Sequence, residues 1–412
     1  MSLVHMWCGA TTPSSARVVA KVDAGSQASL WLADNAGFSD AIQIDTADLS
    51  SDDIAHLTAT GLDASTRYWY RVEDGDGVDG TTGTFRTHPP LGGPADFTVW
   101  MATCAGSNTA YPSDVVGPLM ADRVSNHPAF DSIRQQALSG EFLLGIHAGD
   151  LHYYDLGRDP GRGSIPDGAA GATPYWYRRA YDELLQQPRQ QALYSQVPLA
   201  YVWDDHDYGP NNSDRTAPGR ESAAQVYRER VPHYPLPATG PIFQSFQIAR
   251  TLFVLLDVRY DRSPNSDPDG PDKTMLGSAQ KAWLDQLLAS SQAEFLVLVT
   301  ASQWLGTTED TWGNFAHEQG ELLQMLGDHR WLHRMCGLGG DNHNMGICSG
   351  AHNPRGRFPY GQFAPIDSGG SRGTAERWDV GHTNERRGLW GTLRVRDTGS
   401  AIMPTLSAWS YT

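Results

Sequence analysis

The stretch YVWDDHDYGPNN, residues 201–212, sets Asp204, Asp205, His206 and Asp207 directly behind an apolar run. Five other apolar runs end in a reactive side chain: FTVWMATC at Cys104, FLLGIHAGD at Asp150, FVLLDVR at Arg259, FLVLVTASQ at Gln303 and MCGLGGD at Asp341. Carboxylates at close range in low dielectric repel strongly, so Asp150, Asp204, Asp205, Asp207 and Asp341 cannot sit together ionised without cations. Carboxylate, imidazole and one thiolate form a mixed hard and soft ligand set, which suits iron, manganese, calcium or zinc better than magnesium alone. GDLHYYD and GGDNH sharpen this reading. Glycine before aspartate lets backbone approach an ion, and Asp341-Asn342-His343 projects a carboxylate and an imidazole from one loop. A neighbouring ion would stabilise a thiolate at Cys104. Arg259 offers a planar fork matched to phosphate, and His206 can exchange a proton near neutral pH. Each side chain alone fits a bland role in packing or a salt bridge; the coincidence of six run ends is what points to a site. His147, His152, His233, His317, His329 and His333 read as packed or solvated, and Trp312 and Phe315 as core.

These side chains need a scaffold that brings strand ends to one edge, as open α/β sheets do. From Asp96 onward, buried strands alternate with amphipathic helices, an α/β (α+β) pattern. LGSAQKAWLDQLLASS (276–291) places Trp283, Leu284, Leu287 and Leu288 on one helical face, and AEFLVLVTAS follows as an apolar strand. Residues 4 to about 87 read as all-β, with alternating segments separated by Gly, Asp and Ser turns. Within them, ATGLDASTRYWYRV resembles the leucine, turn and Tyr-x-Tyr segment of fibronectin type III and immunoglobulin-like sandwiches. THPPLGGPAD (87–96) reads as an interdomain hinge, giving an all-β domain at 1–90 and a second domain at 91–412. The stretches 157–173 and 263–273 read as surface loops, and the end as a hairpin turning at Asp397–Ser400.

The 412 residues suffice for two domains with sizeable cores. A formal charge of −16 opposes attraction to nucleic acid or anionic lipid, so no nucleic-acid partner is expected. Four cysteines are too few for a disulfide scaffold, leaving only a Cys336–Cys348 bridge open. No run of eighteen apolar residues is present, and the start shows neither a basic nor a hydrophobic leader region.

In their order and spacing, MATC, HAGDLHYYD, VWDDHD, LDVRYDR, LGSAQKAWL and GGDNH resemble the blocks of the alkaline phosphatase D (PhoD-like) branch of calcineurin-like metallophosphatases. The resemblance spans most of residues 96–412. It implies a calcineurin-like metallophosphatase β-sandwich flanked by helices, behind the immunoglobulin/fibronectin-like domain. It further implies a phosphoric ester hydrolase that attacks with a metal-activated hydroxide and uses two or more metal ions, iron plus calcium by family precedent. Asp150 would bridge two ions, with Asp205 and Asp341 on one side and Cys104, His343 and Tyr153 on the other. His206 would be the proton donor, Arg259 would hold phosphate oxygens, and Gln303 would support ligand or substrate. Asp207 stands where the family usually has Glu, and Asn342 where it commonly has valine. The implied partner is a small-molecule or polymer phosphate ester, with phospholipid head groups, teichoic acid or nucleotides as diester alternatives. Export to the periplasm, cell surface or medium is expected by the same resemblance. The rival from another class is a non-catalytic cell-surface binding module with a structural metal.

Overall fold

The computed structural model describes residues 3–23, 25–74, 81–106, 124–153, 172–369, 377–384 and 387–411. The six apolar runs become the strands Phe97–Ala102, Leu144–Ala148, Leu199–Val202, Thr251–Leu256, Phe295–Thr300 and Met335–Gly339. The first three lie parallel in a five-stranded sheet, and the last three lie parallel in a seven-stranded one. Parallel pairing brings the carboxyl ends within each sheet to one edge.

Alternation along each strand builds the layers. In Thr251–Leu256, Phe253 and Leu255 join one core with Val99, Met101, Val297 and Leu338, which packs the two sheets together. Their neighbours Leu252, Val254 and Leu256 join a second core with Leu284 and Leu288 of helix Gly277–Ser290 and Leu322 and Leu326 of helix Ala316–Asp328. Helices Ala129–Leu138 and Pro174–Leu185 bring Phe130, Ile133, Tyr181 and Leu184 into the first core. Each fully buried side chain of this size contributes roughly 1.5–3 kcal/mol. The result is the expected sandwich flanked by helices. Trp312 and Phe315 are wholly buried core residues, as the sequence suggested.

The N-terminal unit is itself a sandwich. The strands Leu3–Gly9, Ser15–Val22 and Ile54–Thr60 form one sheet; Gln27–Ala33, Ile42–Asp48, Arg67–Asp74 and Gly83–Arg86 form the other. Ala16, Val18 and Ala20 point into its own core, whereas Val19 of the same strand, with Trp7 and Ile54, joins the core that packs the two larger sheets together. Where this sandwich meets the rest of the chain, Asp182 takes hydrogen bonds from Lys21 at 2.8 Å and Arg230 at 3.0 Å and lies 3.0 Å from His5 Nε2.

One expectation needs correction, and one alternative left open is settled. Segment 87–96 is a strap rather than a free hinge: the His88 amide donates to Thr12 O, its ring meets Thr11 Oγ1 at 2.9 Å, and the Gly92 amide donates to Ala249 O. Cys336 and Cys348 are free thiols, because they belong to the two cores on opposite faces of the seven-stranded sheet. The terminal hairpin forms as expected, pairing Leu389–Asp397 with Ile402–Ser410. Stretch 263–273 has neither helix nor strand, while most of 157–173 lies outside the described residues. Among the described residues no helix is long and apolar enough to cross a membrane.

Candidate metal centre

Four of the residues singled out at strand ends leave their strands through left-handed backbone: φ is 56° at Cys104, 56° at Asp150, 71° at Asp341 and 39° at His343. That region disfavours L-residues by roughly 1–2 kcal/mol each. Close approach of the loops depends on glycine. At Gly149, with φ +93°, a Cβ would lie 2.3 Å from Cβ of Asp204, so a side chain there would force two strand-end loops apart.

The loops converge on two groups of donor atoms. Cys104, Asp150 and His343 each offer an atom within 4.8 Å of the others, and so do Asp150, Asp205 and His206. Asp150 belongs to both. The Tyr153 hydroxyl donates to Asp150 Oδ2 at 2.8 Å and lies 2.8 Å from His343 Nε2, while its ring stacks on His206 with centroids 4.2 Å apart. Sequence reasoning gave His206 to proton transfer; the fold also brings it within ligand range. Asp341 falls outside both groups, and its carboxyl is influenced by Asp310, Asp204 and Asp205 on the acidic side.

Burial dominates the electrostatics. It pushes the Asp150 carboxyl well up, with help from the charge of Asp205, and likewise raises Asp341 and the Cys104 thiol. It pushes the His343 imidazole down to about 4, leaving a neutral ring suited to ligation. Burial also raises Asp204 and Asp207 to about 7. At Asp205 the same burial is outweighed by Arg259 and His206, which hold its carboxyl below the usual range. Asp150 Oδ1, Asp204 Oδ2 and Asp341 Oδ2 are buried with no hydrogen-bond partner. An orphaned buried acceptor costs about 1–3 kcal/mol, more when charged, which bound cations would offset. The donor set therefore fits a pair of ions.

Arg259 departs from its expected placement. Its guanidinium is 0% exposed, and its donors serve carboxylates. Nη1 and Nη2 donate to Asp310 at 3.0 and 2.7 Å, and Nε donates to Asp204. Nη2 also lies 3.7 Å from Asp205. Arg262 shares Asp310 at 2.8 Å and lies over the Phe315 ring. Sequence reasoning missed Asp310, since no apolar run ends in it and only the folded chain brings it to Arg259. Gln303 accepts from the Asn342 side chain at 2.5 Å, a donor that valine at position 342 could not supply. Asp207 accepts from the amides of Leu151 at 2.7 Å, His152 at 3.2 Å and Asp204 at 3.0 Å, so it stitches the loop after Ala148 to the loop after Val202. Of the histidines set aside, His147 and His152 are buried, and His329 Nε2 lies 2.7 Å from Asp285 Oδ1.

Among known proteins, the family model described as PhoD-like phosphatase matches residues 122–365. Alkaline phosphatase D of Bacillus subtilis (strain 168) is 22% identical over 323 residues, which covers 70% of this chain and 53% of that protein. The chain thus spans about half the length of the curated relative it matches. A solved structure described as that of PhoD superimposes with a TM-score of 0.75 at 17% identity, covering 99% of this chain and 92% of the other. Purple acid phosphatase PPD1 from yellow lupin (Lupinus luteus) seeds gives 0.64 at 12% identity, covering 96% and 70%. Both likenesses establish a common fold.

Proposed function

We propose, because the chain belongs to the PhoD-like phosphatase family, that it is a metal-dependent phosphoric ester hydrolase. The observation that carries this reading is the membership of Asp150 in two donor groups at once. Cys104, Tyr153, His343 and Asp150 would hold one ion, and Asp150, Asp205 and Asp341 the other. Thiolate and phenolate favour iron on the first side and carboxylate oxygens favour calcium on the second, with manganese or zinc as substitutes. When bound, such ions supply Lewis-acid charge to phosphate oxygens and lower the pKa of water.

The remaining work belongs to the chain. His206, held flat against Tyr153 and 8% exposed, hands a proton to the leaving oxygen. Arg259 neutralises Asp204 and Asp310 and so positions the acidic loop, rather than gripping phosphate itself. Gln303 steadies the turn that carries Asp341 and His343 through Asn342. Substrates are phosphate esters, and export would place a calcium-using centre where that ion is abundant.

The test is turnover of bis-p-nitrophenyl phosphate and p-nitrophenyl phosphate by metal-loaded protein, with His206→Ala beside it. Turnover lost with full metal content identifies a proton donor; turnover and metal lost together identify a ligand. Metal-loaded wild type that hydrolyses neither ester would refute the reading.

A further inference from the structure

We propose that the molecule has a second anion-binding site, at the junction of its two domains and remote from the metal centre, which takes a small organic phosphate. A cavity of about 530 Å³ opens where the strand Phe97–Ala102 begins, with Arg86, Thr98, Arg394 and Trp409 in its wall. A smaller recess shares Arg86, Phe142 and Leu143 with it and adds Arg67. The volume lies within the roughly 300–1,000 Å³ of small-molecule sites. Cys104 is the far end of the same stretch of chain, six residues from Thr98. At about 3.3 Å per residue that places the cavity some 20 Å from the metal centre.

The wall is built in register. Thr98, Arg394 and Thr405 are cross-strand partners in three adjacent strands, and Thr392 pairs with Ser407 two residues along. Partners in register share a face, so a row of hydroxyls and one guanidinium line one side. On the sandwich side Arg67 and Arg86 are themselves cross-strand partners. Trp409 is 39% exposed; its ring is fixed by Nε1–H donation to Thr392 Oγ1 at 3.1 Å and by stacking on Trp390.

Charge identifies the ligand. The chain has 47 acidic and 31 basic residues, yet three arginines gather here. Among the described residues none of the three makes an ion pair, and Arg86 Nε donates to Ser65 O. Asp96 and Glu141 also line the cavity, which disfavours an extended polyanion and favours a compact one. Forked guanidiniums with free donors match phosphate oxygens, the hydroxyls complete them, and the Trp409 face suits a carbon skeleton or ring.

The test is calorimetric titration of metal-loaded protein with phenylphosphonate, which no phosphatase hydrolyses, at low salt. The Arg86→Ala/Arg394→Ala variant is expected to lose one binding event, or to weaken it at least roughly tenfold. Both side chains are exposed, so melting temperature and turnover of bis-p-nitrophenyl phosphate should match wild type. Any event at the metal centre persists in the variant, which keeps the two sites apart whatever the enzyme's activity. Superimposable isotherms for wild type and variant would overturn the site. Trp409→Ala should weaken phenylphosphonate but leave inorganic phosphate unchanged; equal effects on both would overturn the organic ligand.

Discussion

Replacing Arg259 with methionine separates a buried counter-charge from a substrate clamp. The side chain stays apolar along its stem and loses its charge, which leaves Asp204 without a counter-charge in the interior and Asp310 with Arg262 alone. Three hydrogen bonds to carboxylate oxygens are lost. At roughly 1.5–3 kcal/mol each their gross value is about 4–9 kcal/mol. Proton uptake by the stranded acids brings the net loss to the ~3–5 kcal/mol typical of a broken buried pair. At roughly 2.1 cal/mol/K per residue, the 412-residue chain converts ~4 kcal/mol into a melting temperature ~5 °C lower. Scanning fluorimetry of metal-loaded protein reads this directly. Adding Asp204→Asn to Arg259→Met removes the stranded charge, so the double variant should fall short of the summed losses by about 1–3 kcal/mol. The reasoning is refuted if Arg259→Met melts within about 1 °C of wild type while its kcat/KM drops more than roughly a hundredfold. That pattern would mean that the guanidinium leaves its carboxylates to hold substrate.

Chelation should destabilise the protein more at about pH 8.5 than at about pH 5.5, because carboxyls with raised folded pKa values stabilise the fold at low pH and lose that contribution as pH rises through those values. Asp204 and Asp207, at about 7 without metal, and Asp150 and Asp341, raised in the same direction, set this window; equal losses of melting temperature at both pH values would contradict it. Gly149→Ala should cost more than roughly 3 kcal/mol, since its methyl meets Asp204 and its backbone is left-handed. A soluble variant with wild-type melting would show that the two loops can part cheaply. Cys104→Ser should weaken one ion at least about tenfold and spare the other. Elemental analysis that finds both ions at wild-type stoichiometry would remove the thiolate from the ligand set.

The sequence makes strand ends legible because an apolar run must stop where the chain leaves the core. That is why Cys104, Asp150, Asp205 and Asp341 stood out as run ends before any fold was known, with His343 two positions beyond the last. The same logic is blind to a residue whose partner is distant in the chain and whose surroundings are polar. Asp310 meets Arg259 across 51 positions, and no apolar run ends at it. Donor geometry is legible for Arg259 but occupancy is not, since only packing shows that its fork is filled. Composition misleads at 87–96, where proline and glycine suggest freedom but individual amides find carbonyls on both domains.

The positive φ angles at Cys104, Asp150, Asp341 and His343 set thermal robustness against chemistry. Glycine at any of these positions would relax the main chain and, at the acids, also lift mutual repulsion. A laboratory screen that rewards only heat tolerance should therefore drift toward glycine there, yielding sturdy proteins that, under the proposed function, no longer react. Libraries built on this scaffold need an activity readout in every round.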